Sequence, residues 1–341
     1  MDKELYFGVD VSKKTLDLAY YDGETIDWRN AHIKVSNDDA GFKQIASWVT
    51  KVGKNFDTIL FCMEYTGLYN QNFRLWLESQ GYIYGMVEPR KMHRFEPDLD
   101  DNQRSIDRVK TDELDSFRIA IYCEQNHKKI LRSPSKLPSH VYFKLKRLLA
   151  ERKQNTKQSV LYKQQLHDIC VYDTDLAVER KKTLLQSLKK AQKAIDNEID
   201  SCIEEDVCIG KNFELLTSIP GIGRMIALET IVLTENFTAI SNPRKYACYI
   251  GIAPFKKESG SSVRKGASVS KKGFSEAKAD LSIAVLAAIR ISSSIRDYWQ
   301  RKRKEKCGGI VLNAIKFKMV LRMFAVVKRG TPYVETDSYK N

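Results

Sequence analysis

From His140 to Glu205 the chain contains neither proline nor glycine, and Leu, Lys, Gln and Glu dominate its composition there. Such residues are good helix formers, and nothing in the stretch interrupts an i→i−4 ladder, so long helices are the regular structure open to it. VYFKLKRLLAERKQNTKQSVLYKQQL and AVERKKTLLQSLKKAQKAIDNEID each suit one helix, with VYDTD as the turn between them. The expectation is an antiparallel helical hairpin or coiled coil. It divides the chain into residues 1–133, the hairpin at 138–205, and 206–341, with Pro134 and Pro138 marking the first break.

Upstream of the hairpin the periodicity is that of an α/β layer. LYFGVDVS is an apolar strand ending in an acid, TLDLAYYD alternates like its paired neighbour, and GETIDWRNAHIKV reads as a third strand. GFKQIASWVTKV has helical spacing, and TILFCMEYTG is a buried strand that also ends in an acid. YNQNFRLWLESQG is a helix closed by Gly81, and YIYGMVEP is a further strand. The order is β-β-β-α-β-α-β followed by a helix. Downstream, LLTSIPGIGRMIALETIVL predicts a helix, a Pro-Gly-Ile-Gly hairpin and a second helix. Gly221 and Gly223 permit a tight turn whose backbone N–H groups, ahead of a helix N-terminus, can meet a nucleic-acid phosphate. The serine-rich stretch ESGSSVRKGASVSKKG follows, then a helix from Glu276 to about Ile291, the basic run RKRKEK and a closing helix, VLNAIKFKMVLRMFAVVKRG. The fold class is α/β plus α, with the C-terminal part mainly helical.

Charge narrows the partner. The formal net charge is +14, and from Asp206 onward 24 lysines and arginines stand against 11 acids. A surplus gathered in one part of a chain favours a polyanion, most often nucleic acid. Arg264, Lys265, Lys271 and Lys272 flank the serines, and Arg301, Lys302, Arg303 and Lys304 form the later basic run, so these are the candidate phosphate contacts; a solvated helix end is the plainer account of the second group. The seven cysteines are dispersed and form no C-x-x-C pair, which argues against a disulfide framework or a zinc knuckle and suits a reducing cytoplasm. No signal-peptide core is seen at the N-terminus, and no run approaches the ~18 apolar residues of a membrane span, so no membrane partner is expected. The five histidines are scattered, and none is assigned a catalytic role.

Four acids stand out by position. Asp10 ends the strand FGVD and Glu64 ends FCME, while Asp112 and Asp115 in KTDELDS are spaced i, i+3 on one helical face. Each has an ordinary explanation: acids at strand ends are commonly solvated, and a pair at a helix start commonly serves the helix dipole. Brought together, they would repel one another strongly unless they shared a divalent cation, and their hard oxygen donors suit Mg²⁺ or Mn²⁺. Two such ions ~4 Å apart clamp the attacking and leaving oxygens in phosphodiester chemistry.

The segments GVDVSKKTLDL, CMEYTGLY, KTDELDS, SIPGIG, GIAPFKKESGSSVRKGASVSKKG and the closing helix follow one another in an order that resembles the DEDD-type transposases of insertion-sequence family 110, with the Piv-type invertases as relatives. The resemblance spans nearly the whole chain. It implies an RNase H-like (RuvC-like) N-terminal domain, a coiled coil and a C-terminal serine-bearing transposase domain. By the same resemblance, Asp10, Glu64, Asp112 and Asp115 are a catalytic, Mg²⁺-binding tetrad, and Ser259 is the nucleophile that joins covalently to DNA. Donor and target DNA, a guide (bridge) RNA, and a homodimer or homotetramer with a composite site between subunits are the partners it implies, in a bacterial or archaeal cytoplasm at the nucleoid. Tyr65, where a small residue is common, and the strongly basic RKRKEKCGG depart from the pattern without touching the tetrad or the serine. From composition alone, Ser259 sits in what reads as a flexible Ser/Gly loop, and Ser261, Ser262, Ser268 and Ser270 compete with it. Two rival readings remain at this level: a RuvC-type structure-selective nuclease that uses water as nucleophile, and a non-catalytic nucleic-acid-binding protein.

Overall fold

The computed structural model describes residues 4–24, 30–52, 56–65, 67, 69–95, 111–259, 263–269 and 273–335. The chain divides into two compact units, Met1–Leu137 and Pro138–Asn341.

Runs of apolar residues, buried on both faces, build the centre of the sheet of the first unit. In chain order its elements are β1 (Leu5–Val11), β2 (Thr15–Tyr21), β3 (His32–Ser36), α1 (Asp39–Val52), β4 (Ile59–Glu64), α2 (Gln71–Ser79), β5 (Tyr84–Val87), α3 (Pro89–Met92) and α4 (Asp112–Arg132). The expected strand order along the chain is met, with the third strand confined to His32–Ser36; residues 25–29 of the segment expected to form it lie outside the described residues. The sheet order is β3-β2-β1-β4-β5, antiparallel from β3 to β1 and parallel from β1 to β5. Side chains of period two serve two layers. Phe7, Val9, Leu16, Leu18, Phe61 and Met63 point to one face, under Phe42 and Ile45 of α1 and Phe73 and Leu77 of α2. On the opposite face, Tyr6, Leu60 and Cys62 pack against Ile119 and Cys123 of α4, and Ala19 packs against Phe117 and Ile121. Gly8 lies on this second face. A Cβ there would fall 2.0 Å from the Ser116 carbonyl oxygen and 2.2 Å from the Ala120 nitrogen, so α4 rests on β1 because residue 8 has no side chain.

The second unit contains α5 (His140–His167), α6 (Asp175–Glu205), α7 (Val207–Thr217), α8 (Arg224–Leu233), α9 (Pro243–Tyr249), β6 (Pro254–Ser259), β7 (Val263–Val269), α10 (Ser275–Ile291), α11 (Ser293–Arg303) and α12 (Gly308–Arg329). Helices α5 and α6 form the expected antiparallel hairpin. Buried Asn155 Nδ2 donates to the Leu188 carbonyl at 2.9 Å, and one turn earlier Arg152 Nε meets Asp196 Oδ1 at 2.6 Å. The same core joins the base of the hairpin to the later helices, through Leu145, Ile199, Leu228, Tyr246, Val285 and Met319. Gly221 turns the α7–α8 connection at φ +88°, and a Cβ on it would lie 2.4 Å from the Ala284 carbonyl oxygen of α10. Among the described residues, no helix is long and apolar enough to cross a membrane.

Candidate active site

The acids reach one place through register and one glycine. Asp10 and Asp17 are Cα partners across β1 and β2, and Asp17 and Lys34 are partners across β2 and β3. Asp10 lies two residues beyond Gly8 and so shares the face that α4 covers. Glu64 is two residues beyond Cys62 on β4, which runs parallel to β1, and reaches the same face at the same edge. Helix α4 begins there. Thr111 caps it, its side chain accepting from Leu114 N at 3.3 Å, so Asp112 and Asp115 fall in the first turn, where the helix dipole favours negative charge.

Electrostatics records the convergence. The Asp10 carboxyl is pushed up to about 6, first by burial and then by Asp112, Asp115, Asp17 and Glu64. Glu64 is also raised, first by burial and then by Asp115. Asp10 therefore lies in the field of the three other acids expected from the sequence, at one end of the sheet. The four are not in ligand spacing: among the described residues, no three carboxylate, histidine or cysteine side chains are grouped closely enough to hold a metal ion. The physical reason is on the helix, where both aspartates already have side-chain cations. Lys34 Nζ bonds Asp112 Oδ2 at 3.3 Å, and Arg118 Nη1 stands 3.7 Å from Asp115 Oδ1. In donor type and net charge the cluster suits a hard divalent cation, which would offset the burial and the acid repulsion that together hold Asp10 up.

Sequence reasoning passed over two residues here. Asp17 is only 3% exposed, and it accepts from His32 Nε2 and Lys34 Nζ, each at 3.1 Å. This bond is the first cause that holds the Lys34 ammonium above its ordinary value. A turn at Ser12–Thr15 pairs Val11 with Leu16, and hence Asp10 with Asp17.

The serine hairpin belongs to the second unit. Ser259 is the last residue of β6, with Val263 as its Cα partner; Arg264 is the Cα partner of Glu258 and Lys265 that of Lys257. Ser261, Ser262, Ser270, Lys271 and Lys272 lie outside the described residues. At the base of the hairpin, Lys278 Nζ donates to the Gly251 carbonyl at 3.0 Å, Asn313 Nδ2 to the Ile252 carbonyl at 2.9 Å, and Phe274 N to the Tyr249 carbonyl at 2.9 Å. Of the two hairpin glycines, Gly221 is explained by its turn and its contact with α10, whereas Gly223 is exposed with nothing within 4 Å of a Cβ. In the basic run, Arg301, Arg303 and Lys304 are exposed, Lys302 pairs with Glu305 at 2.8 Å, and Arg303 lies 5.5 Å over the Trp299 ring.

Comparison with known proteins identifies relatives of the chain. A DEDD transposase family model of insertion sequence IS110 matches residues 7–172, and the model described as "Transposase IS116/IS110/IS902 family" matches residues 213–300. The pilin gene-inverting proteins of Moraxella lacunata and Moraxella bovis are each 24% identical over 333 residues, covering 96% of this chain and 97% of theirs. An uncharacterized 43.6 kDa protein of insertion element IS110 from Streptomyces coelicolor is 24% identical over 160 residues, 47% of this chain and 38% of its own.

Proposed function

Because the chain belongs to the IS110 family of transposases, we propose that it cuts and rejoins DNA strands as a site-specific recombinase, through a covalent link between Ser259 and DNA. The observation that carries this reading is the shared field of Asp10, Glu64, Asp112 and Asp115 at the end of one sheet. The antiparallel-then-parallel sheet with α4 across it supports an RNase H-like (RuvC-like) assignment for residues 1–133. Residues 138–205 serve as the connecting coiled-coil arm and 206–341 as the serine-bearing domain.

In this mechanism the Ser259 hydroxyl attacks a phosphodiester phosphorus. A phosphoserine ester forms, the bond to the 3′ oxygen breaks, and that oxygen leaves as a 3′ hydroxyl carrying a proton. Attack by a second strand's 3′ hydroxyl reverses the step, so the bond energy is kept for rejoining. Asp10, Glu64, Asp112 and Asp115 would hold Mg²⁺ or Mn²⁺, which when bound supplies a Lewis acid for the charge developing on the phosphate and leaving oxygens. Arg264, Lys265, Lys271 and Lys272, with the Gly223 turn and Arg301–Lys304, hold phosphate backbones of donor and target DNA and of a guide RNA. The working assembly is a homodimer or homotetramer.

Ser259→Ala tests the reading. With supercoiled DNA carrying the element's ends, it should abolish both the covalent protein–DNA product and strand exchange, while Ser261→Ala keeps both. Cleavage that survives Ser259→Ala and still needs divalent metal would instead point to a water-using nuclease.

A further inference from the structure

We propose that Lys34 is a positioning residue of the acid site: anchored on buried Asp17, its ammonium carries Asp112 while no divalent cation is held and must release that carboxylate when one is. The proposal rests on the reading of the four acids as cation ligands and goes beyond it in saying what keeps one of them out of ligand spacing.

Lys34, Asp17 and Asp10 form one row across three neighbouring strands. The anchor is firm. Asp17 is buried, and a buried carboxylate is tolerated only with partners, here the Lys34 ammonium and the His32 ring. The other end of the bridge is loose. Asp112 keeps 66% of its side chain exposed, and among the described residues Lys34 is its side-chain partner. Lysine suits such a role because its ammonium is a point charge with three donors on a flexible stem, so it can keep Asp17 while giving up Asp112. Half of the Lys34 side chain is exposed, which leaves room for that swing. Asp112 is joined to the β3 side of the row, whereas Glu64 lies on β4, beyond Asp10. Lys34 therefore offsets acid repulsion when no cation is bound and opposes cation binding by both charge and competition for Asp112.

Direct Mn²⁺ binding tests this, measured by calorimetry and by loss of the free-ion paramagnetic resonance signal, on the full chain without nucleic acid. The proteins are wild type, Lys34→Gln, Lys34→Arg, and each of the first two with Asp10→Asn added. Gln keeps a donor for Asp17 but no charge; Arg keeps the charge. The expected result is Mn²⁺ binding that Asp10→Asn removes, about three- to tenfold tighter in Lys34→Gln and no tighter than wild type in Lys34→Arg. Asp10-dependent binding that is unchanged or weaker in Lys34→Gln overturns the role of Lys34 and leaves the acid site standing. Binding that Asp10→Asn does not affect, or no binding in any variant, overturns the acid-site reading and the role of Lys34 with it.

Discussion

Replacing Gly8 by alanine tests how the candidate site is assembled. The added methyl would lie 2.0 Å from the Ser116 carbonyl oxygen and 2.2 Å from the Ala120 nitrogen, both backbone atoms of α4, whereas ordinary contact begins at 3.4 Å. No rotamer relieves a clash with backbone, so α4 must retreat from β1 by about 1.4 Å, the shortfall on the closer contact. Overpacking of this kind costs about 1–3 kcal/mol, and for a unit of this size roughly 4 °C of Tm per kcal/mol follows. Helix α4 also carries Asp112 and Asp115, so its retreat weakens two of the charges that hold the Asp10 carboxyl near 6. The Asp10 titration, followed by carbon-detected NMR of labelled aspartate, should move down toward the ordinary carboxylate range. Strand exchange should fall on the order of a hundredfold, the usual penalty for a misplacement of this size. Gly41→Ala is the control: its methyl would lie 1.8 Å from the Ser36 carbonyl oxygen, in α1 on the opposite face of the sheet. It should lower Tm and leave the Asp10 titration where it is. A Gly8→Ala protein with unchanged Tm and an unchanged Asp10 titration would refute the account of how α4 is seated.

Further outcomes follow from the same geometry. With the folded Asp10 carboxyl raised to about 6, the folded state binds a proton that the unfolded state has lost between pH 4 and 6, so ionising Asp10 costs stability as pH rises through that window. Asp10→Asn should therefore raise Tm of the metal-free protein at pH 7.5 and leave it unchanged near pH 4; a difference independent of pH would contradict the shared field. Gly221→Ala forces a side chain onto a residue at φ +88° and 2.4 Å from the Ala284 carbonyl oxygen, and should lower the stability read from denaturant unfolding by about 1–3 kcal/mol. Gly223→Ala meets nothing within 4 Å and should leave stability as it is, so any loss of DNA affinity there reports on the turn itself. Neutralising Arg301, Arg303 and Lys304 together should flatten the dependence of log affinity on log salt by about 0.9 for each duplex DNA phosphate that these side chains neutralise in the wild type. An unchanged slope would return these side chains to the role of a solvated helix end.

Much of the architecture was legible in the sequence because it rests on local signals. The absence of proline and glycine from His140 to Glu205 gave α5 and α6, apolar runs gave β1 and β4 with Asp10 and Glu64 at the strand ends, and alternation gave β2. The i, i+3 spacing put Asp112 and Asp115 on one turn of α4, and the concentration of cations after Asp206 indicated a polyanionic partner. Tertiary structure alone decided what those residues meet. Asp17 reads as one polar residue in an alternating strand until the pairing of three strands sets it between Asp10 and Lys34. Gly8 and Gly221 read as turn or strand glycines until helices distant in sequence come to rest on them. The spacing of the four carboxylates depends on Lys34 and Arg118, whose charges act across space and not along the chain. Periodicity records which face a residue takes; the forces between faces act through distances that exist only once the chain has folded.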